Sequence, residues 1–169
     1  MIRVIKTDGG KTTAGFTHET RDCAVRAIAI ATETSYAEVH AKLKLQGRRN
    51  RQGTSINQIQ AALRSLTAET ETIYTVDFGG LYSHITYPTL ADTLRKYQTG
   101  RYVVITTDHA QAVIDGVVHD DGLIAGPRSR VKRVFRVVPK QKQAAQPDIM
   151  QDQINELWAR LDRLEARTR

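Results

Sequence analysis

The sequence lacks the residues and segments that mark several large classes of protein. It contains one cysteine among 169 residues, so it has no intramolecular disulfide; a disulfide-stapled secreted domain is not expected, and a reducing cytoplasm is compatible. No apolar run approaches the roughly 20 residues that a membrane-spanning helix needs. The first residues, MIRVIKTDGGKTT, have no apolar segment of the kind found in a secretory signal. We therefore expect a cytoplasmic protein with no membrane partner.

Nucleotide-binding and metal-binding motifs are also missing. The chain has no zinc-finger spacing, no aromatic RNA-binding signature and no phosphate loop of the GxxxxGK(S/T) type. A net charge of +7 leaves nucleic acid open as a partner, and arginines cluster at 48–51 and 128–136. Without a motif, a solvated basic surface is the more common explanation of such a charge. Nucleic acid is therefore not the favoured partner, and we expect neither a cofactor nor a metal ion.

The order of apolar periodicities predicts helices first and strands afterwards. Apolar residues at helical spacing dominate the N-terminal half, and short β-branched segments dominate from residue 101 onward. The predicted helices span 22–31, 35–43, a segment from 54 or 55 to 66, and 89 to near 100. After a short strand at 2–4, the predicted strands span 72–78, 101–106, 109–114, 117–120 and 130–138. This segregation predicts an α+β fold, with N-terminal helices packed on an antiparallel β-sheet.

The composition changes near residue 139 and predicts a second, smaller unit. We expect a domain at 1–139, a polar linker at 140–147 and a C-terminal helix at 148–169. The apolar residues of that helix follow steps of four and three, as in a short coiled-coil seam: Met150, Ile154, Leu157, Leu161 and Leu164. The stripe either packs back on the domain or forms a homo-oligomer. The linker before it favours the second reading.

The single cysteine lies at the predicted start of the first helix, in the stretch RDCAVRAIAIAT. Unpaired N–H groups and the dipole of a first turn favour a thiolate, which would make Cys23 a nucleophile. The alternative is a small buried apolar residue, the commonest role of a free cysteine. A catalytic role therefore requires a base and an orienting acid elsewhere in the chain.

His109 is the best candidate for the base among five histidines. It opens the predicted strand HAQAVI, where it would be held firmly and could face the start of a helix. His84, in the loop GGLYSHITYP, is not excluded.

Strand parity selects Asp120 as the orienting acid. If Asp115-Gly116 forms a two-residue turn, Ala112 lies opposite His119, and alternation puts His109 and Asp120 on one face of the hairpin. Asp120 is then diagonal to His109 and within reach of it. The alternative is a solvated strand end, and a slip of one residue in register would reverse the assignment.

These pieces resemble the papain-like cysteine peptidases. RDCAVRAIAIAT is similar to their nucleophile helix: its Asp-Cys pair resembles cell-wall peptidases and its C-x-x-R-A run the ovarian-tumour-type deubiquitinases. HAQAVIDGVVHD is similar to the histidine strand and hairpin of the bacteriocin-processing branch. The resemblance covers residues 20–121 and implies a papain-like fold in which Cys23 is the nucleophile, His109 the base and Asp120 the orienting acid.

The resemblance also has departures. Papain and the bacteriocin-processing branch carry a glutamine shortly before the cysteine, to complete the oxyanion hole, but residues 1–22 contain neither glutamine nor asparagine. The backbone N–H of Cys23, together with either the side chain of Thr20 or the loop backbone, would have to take that role instead.

The sequence thus favours a cysteine hydrolase that cleaves a peptide or isopeptide bond in a protein or peptide substrate. The alternative is a non-catalytic protein on the same fold, such as a bacteriophage structural or anti-host protein. In either case, 148–169 would bind a second copy or a virion partner.

Overall fold

The structure, a computed structural model, describes residues 2–75, 87–122 and 125–140. Over these residues the fold is α+β, with four helices and one six-stranded sheet. None of these helices is both long enough and apolar enough to cross a bilayer. The predicted C-terminal helix at 148–169, and all but the first residue of the predicted linker, lie outside the described residues.

The four predicted helices are present, with ends that differ from the prediction by a few residues. They are α1 (Cys23–Thr32), α2 (Tyr36–Leu45), α3 (Ile56–Leu66) and α4 (Leu90–Lys96). Reciprocal capping boxes open α3, between Ser55 and Gln58, and α4, between Thr89 and Asp92. α4 ends before Gly100 because the chain leaves helical geometry at Tyr97, with φ −110° and ψ 71°.

The sheet is mixed, and the prediction of an antiparallel sheet was therefore incomplete. Its strands are β1 (Val4–Lys6), β2 (Thr67–Thr75), β3 (Arg101–Thr106), β4 (Ala110–Ile114), β5 (Val117–Asp120) and β6 (Val131–Pro139). They lie in the order β1-β5-β4-β3-β6-β2. All neighbours are antiparallel except β1 and β5, which run parallel with Lys6 beside Asp120. The first strand of the chain therefore supports the strand that carries the predicted acid.

β2 begins earlier than the predicted strand at 72–78. It starts at Thr67, directly after α3, because Thr67 already has extended φ and ψ of −112° and 159°. β2 is an edge strand, and Ala68, Glu69 and Glu71 are exposed. An edge strand with polar exposed positions has no strong apolar alternation, which is the signal that the prediction used.

The sheet separates two apolar clusters. The larger one joins α1, α2 and α3 to the sheet residues Val103, Ile105, Ala110, Ala112, Phe135 and Val137. The smaller one joins Leu90 of α4 to Tyr102, Val104, Val113, Val118, Val131 and Val134. Alternate residues of β3 and β4 thus face opposite clusters, as the period of a strand requires.

α1 is fixed at its C-terminal end as well as along its buried side. Val25 and Ile28 are fully buried against the sheet. Arg101 of β3 donates to the carbonyls of Ala31, at 2.8 Å, and Ile30, at 2.7 Å. These bonds satisfy carbonyls that the end of a helix leaves unpaired. The position of the first turn of α1 is consequently set by the sheet.

The predicted hairpin register is confirmed. Asp115 and Gly116 have φ values of 48° and 73°, as a two-residue hairpin turn of the type I′ kind requires. Ala112 pairs with His119 and Val113 with Val118.

Candidate active site

Cys23 is the first residue of α1 and is half-buried. The side chain of the preceding residue, Asp22, makes no capping hydrogen bond to the first turn. It accepts instead from Arg26, at 2.9 Å, and from the hydroxyl of Tyr36, at 2.8 Å. The N–H groups that a first turn leaves unpaired are therefore not taken up by Asp22, and they lie beside the thiol.

The structure brings Cys23 together with His109, which immediately precedes β4. Burial alone would raise the pKa of the Cys23 thiol, but hydrogen bonding to the His109 ring and to the Ala110 N–H, with the positive charges of His109 and Arg26, outweighs burial and lowers it. This combination of a helix start, a cationic partner and partial exposure is typical of reactive cysteines.

The ring of His109 is also held by Asp120, the last residue of β5. His109 Nε2 hydrogen-bonds Asp120 Oδ2, which leaves Nδ1 as the ring nitrogen for the thiol. Burial opposes the charge on His109, but the hydrogen bonds to Asp120 and Cys23 prevail and raise its pKa to about 9. Burial likewise opposes the charge on Asp120, but the hydrogen bond from His109 lowers the pKa of that carboxyl.

These directions favour a thiolate–imidazolium pair near neutral pH. The pKa of the thiol lies below its ordinary value, whereas the pKa of the imidazole is raised to about 9. Both shifts favour placing the shared proton on the ring. Asp120, 2% exposed, supplies the negative charge that stabilises the imidazolium.

Arg26 links the helix that carries the cysteine to the strand that carries the acid. Its buried guanidinium contacts Asp120 Oδ1 at 3.1 Å and Asp121 Oδ2 at 2.6 Å, in addition to Asp22. The sequence shows the C-x-x-R pattern but does not predict that Arg26 contacts Asp120. The position of a residue on a helix does not show which strand packs against it.

A second buried ionic cluster fixes the loop before α1, and sequence reasoning missed it. Glu19 accepts from Arg48, at 2.6 Å, and from the N–H of Arg51, at 2.7 Å. Burial opposes its charge, but these bonds lower the pKa of the Glu19 carboxyl. Lys11 donates to the Glu19 carbonyl at 2.6 Å and lies 3.2 Å from Asp22. Hydrogen bonds and ion pairs with Lys11, Arg48 and Arg51 therefore fix the loop that leads to Cys23.

Two clefts meet at Cys23 and His109. The larger, about 750 Å³, is bordered by charged residues that include Lys11, Arg21 and Asp121. The smaller, about 290 Å³, has apolar walls that include Ile56 and Ile105. Cys23 and His109 therefore line both clefts.

The predicted oxyanion pair is brought together only in part. The N–H of Cys23 belongs to the first turn of α1, as predicted. Thr20 is exposed and lines the larger cleft with Cys23, but it does not line the smaller one. Thr54 borders the smaller cleft with Cys23, and its hydroxyl is buried without a hydrogen-bond partner. The sequence predicted either Thr54 or Ser55 as the cap of the third helix, and Ser55 fills that role.

Among the described residues, His119 is not part of this arrangement. His119 precedes Asp120 in β5 and pairs with Ala112, and burial and then the charge of Arg101 lower its pKa. His84 lies outside the described residues. No group of three or more metal-ligating side chains occurs in the ranges 2–75, 87–122 and 125–140.

Comparison with known proteins gives no relative from which to carry over a role. A scan against protein-family models, a search of curated proteins and a search of solved structures each found no match.

Proposed function

We propose that the protein is a papain-like thiol hydrolase that cleaves a peptide or isopeptide bond, with Cys23 as nucleophile, His109 as base and Asp120 as orienting acid. The observation that supports it best is the continuous chain of contacts from the thiol through the imidazole to a buried carboxylate. This arrangement of nucleophile, base and orienting group recurs among enzymes that form covalent acyl intermediates.

The first half of the reaction transfers an acyl group to sulfur. The Cys23 thiolate attacks the carbonyl carbon, a C–S bond forms, and the carbonyl oxygen becomes an oxyanion beside the first turn of α1. The C–N bond then breaks as the His109 imidazolium gives its proton to the leaving amine. The products of this half are a free amine, a thioester on Cys23 and a neutral imidazole.

The second half regenerates the site. The neutral His109 ring takes a proton from water, and the hydroxide attacks the thioester carbon. The C–S bond breaks, the acid is released, and the thiolate–imidazolium pair is restored. Asp120 keeps its charge throughout, because it orients and stabilises the ring without taking the proton.

The chemical test is the pH dependence of Cys23 alkylation by iodoacetamide. An ordinary thiol with a pKa near 8.5 is about 0.3% ionised at pH 6, so a thiolate–imidazolium pair should react roughly a hundredfold faster there. His109→Ala should abolish that advantage, whereas the matched control His119→Ala, one strand away in the same hairpin, should retain it. A wild-type thiol that titrates as a free cysteine would refute the proposal.

The catalytic test uses a synthetic peptide mixture in water enriched in ¹⁸O. Hydrolysis through the thioester should give new carboxyl termini that carry ¹⁸O, detected by mass spectrometry, and Cys23→Ala should give none. A reactive Cys23 without any cleavage would favour the alternative of a non-catalytic protein on the same fold.

A further inference from the structure

The acid of the site is held from two directions. Asp120 Oδ2 meets the His109 ring, while Oδ1 accepts from Arg26, at 3.1 Å, and from the N–H of Asp121, at 2.8 Å. A carboxylate with partners on both oxygens cannot rotate without breaking one set of bonds. The direction of the oxygen that faces His109 is therefore determined by the groups on the other oxygen.

Arg26 is well suited to hold that second oxygen. It lies on α1, one turn after Cys23, and is 5% exposed. Its planar guanidinium places Nη2 on Asp120 while Nη1 is held by Asp22, at 2.9 Å, and Asp121, at 2.6 Å. The two nitrogens of the planar guanidinium hold three carboxylates in fixed directions, whereas a lysine would offer them a single, shorter-reaching nitrogen.

These contacts close a ring around the reacting atoms. The ring runs from Cys23 along α1 to Arg26, across to Asp120, on to His109, and back to the sulfur. We propose that Arg26 is a positioning residue, which sets the orientation of the Asp120 carboxylate and thereby the placement of the His109 ring against the thiol. This inference rests on the proposed thiol hydrolase function and adds a residue to it.

The direction in which the pKa of His109 moves in Arg26→Met separates a positioning role of Arg26 from a purely electrostatic one. In Arg26→Met, removal of a nearby cation would by itself favour the imidazolium and raise the pKa of His109. If Arg26 positions Asp120, the His109–Asp120 hydrogen bond weakens instead, and the pKa of His109 falls. The measurement is an NMR titration of the His109 imidazole, made in the Cys23→Ala background so that the thiol does not contribute.

The variants are Arg26→Met, Arg26→Lys and the control Arg48→Met. Arg48 is also buried and paired with a buried carboxylate, Glu19, but it does not touch Asp120. We expect the proton affinity of His109 to fall about tenfold or more in Arg26→Met, corresponding to at least one pKa unit, and less in Arg26→Lys. Arg48→Met should lower the melting temperature without changing the titration.

An unchanged or increased His109 pKa in Arg26→Met would overturn the proposal. Should Arg26→Met fail to fold, Arg26→Lys carries the same test, and a His109 titration identical to that of the parent would overturn it. Because the thiol is absent, this result is independent of the alkylation profile of the wild-type protein. A thiol of ordinary pKa in the wild type would refute the hydrolase function, while the titration would still report whether Arg26 holds Asp120.

Discussion

Replacing Asp120 by asparagine should lower the pKa of His109, and the structure gives the size of the effect. The pKa of this ring is raised from 6.5 to about 9, a preference for the imidazolium on the order of 3 kcal/mol at about 1.4 kcal/mol per unit. Burial opposes that preference, while Asp120 and Cys23 together produce it. Asp120→Asn preserves the shape of the side chain and removes its charge, so we expect the pKa to fall by about one unit or more.

The double variant Cys23→Ala/Asp120→Asn makes the reasoning sharper. Both groups that favour the imidazolium are then gone, and burial remains as the opposing effect, so the pKa of His109 should drop below 6.5. The assay is an NMR titration of the imidazole signals, with those of His109 identified by their loss in His109→Gln. A value near 9 in Asp120→Asn, or one above 6.5 in the double variant, would refute the electrostatic account of the site.

The same pKa has a consequence for stability in the chain with Cys23→Ala. If Asp120 alone keeps the folded-state pKa of His109 above its unfolded value, the added stability should be fully present below about pH 6.5 and lost as the pH rises through the folded-state value. In the wild type with the proposed thiolate–imidazolium pair, the folded protein holds one proton on the ring, and the unfolded chain holds one on the thiol. Between the unfolded-state pKa values of histidine and cysteine, folding therefore binds no extra proton, and the free energy of unfolding should change little with pH. Urea unfolding from pH 6 to 9 distinguishes the two curves.

Two further substitutions test the surroundings of the site. Thr54→Val should slow esterolysis of p-nitrophenyl acetate by about 10²–10³-fold if its hydroxyl stabilises the oxyanion, while alkylation by iodoacetamide, which forms no oxyanion, stays unchanged. The control is Thr107→Val, at an exposed threonine that lines the same smaller cleft, and equal esterolysis in the two variants would contradict this role. Glu19→Ala should lower the free energy of unfolding by roughly 3–5 kcal/mol, because it leaves Arg48 buried and unpaired. A loss of less than about 1 kcal/mol, measured by urea unfolding, would show that Arg48 finds another partner.

The features that the sequence predicted well are those with a local physical cause. The hairpin requires positive φ at two adjacent positions, which Asp115 and Gly116 adopt. The start of α4 depends on a side chain and an N–H three residues apart, Thr89 and Asp92. Such causes lie within a few residues and can be read without knowing the rest of the fold.

The parity argument found a real contact for an incomplete reason. It placed Asp120 on the face of Val118, and that face packs against α4, whereas Cys23 packs with the cluster on the α1 side. Asp120 is the last residue of β5 and His109 immediately precedes β4. Both side chains therefore lie at the same end of the hairpin, where they can meet Cys23 at the edge of the sheet. The alternation of side chains along a strand cannot predict that Cys23 and Arg26 of α1 lie at that edge of the sheet.

Buried charges were the main failure of sequence reasoning. The arginine cluster at 48–51 predicts a solvated basic surface, yet Arg48 is 2% exposed and paired with Glu19. The parallel pairing of β1 with β5 was missed for a similar reason, since a three-residue strand has no periodicity of its own. Both features depend on partners far away in the chain.

If Cys23 is the proposed nucleophile, the ring of contacts around it also sets the stage of folding at which the thiol becomes reactive. Arg26 and Asp120 are 94 positions apart in the chain, so α1 leaves the ribosome well before the strands that carry the base and the acid. Until those strands dock, the cysteine has no imidazolium beside it and remains an ordinary thiol. Reactivity should therefore appear with the last long-range contacts to form, so that truncated or misfolded copies of the chain carry an unactivated cysteine.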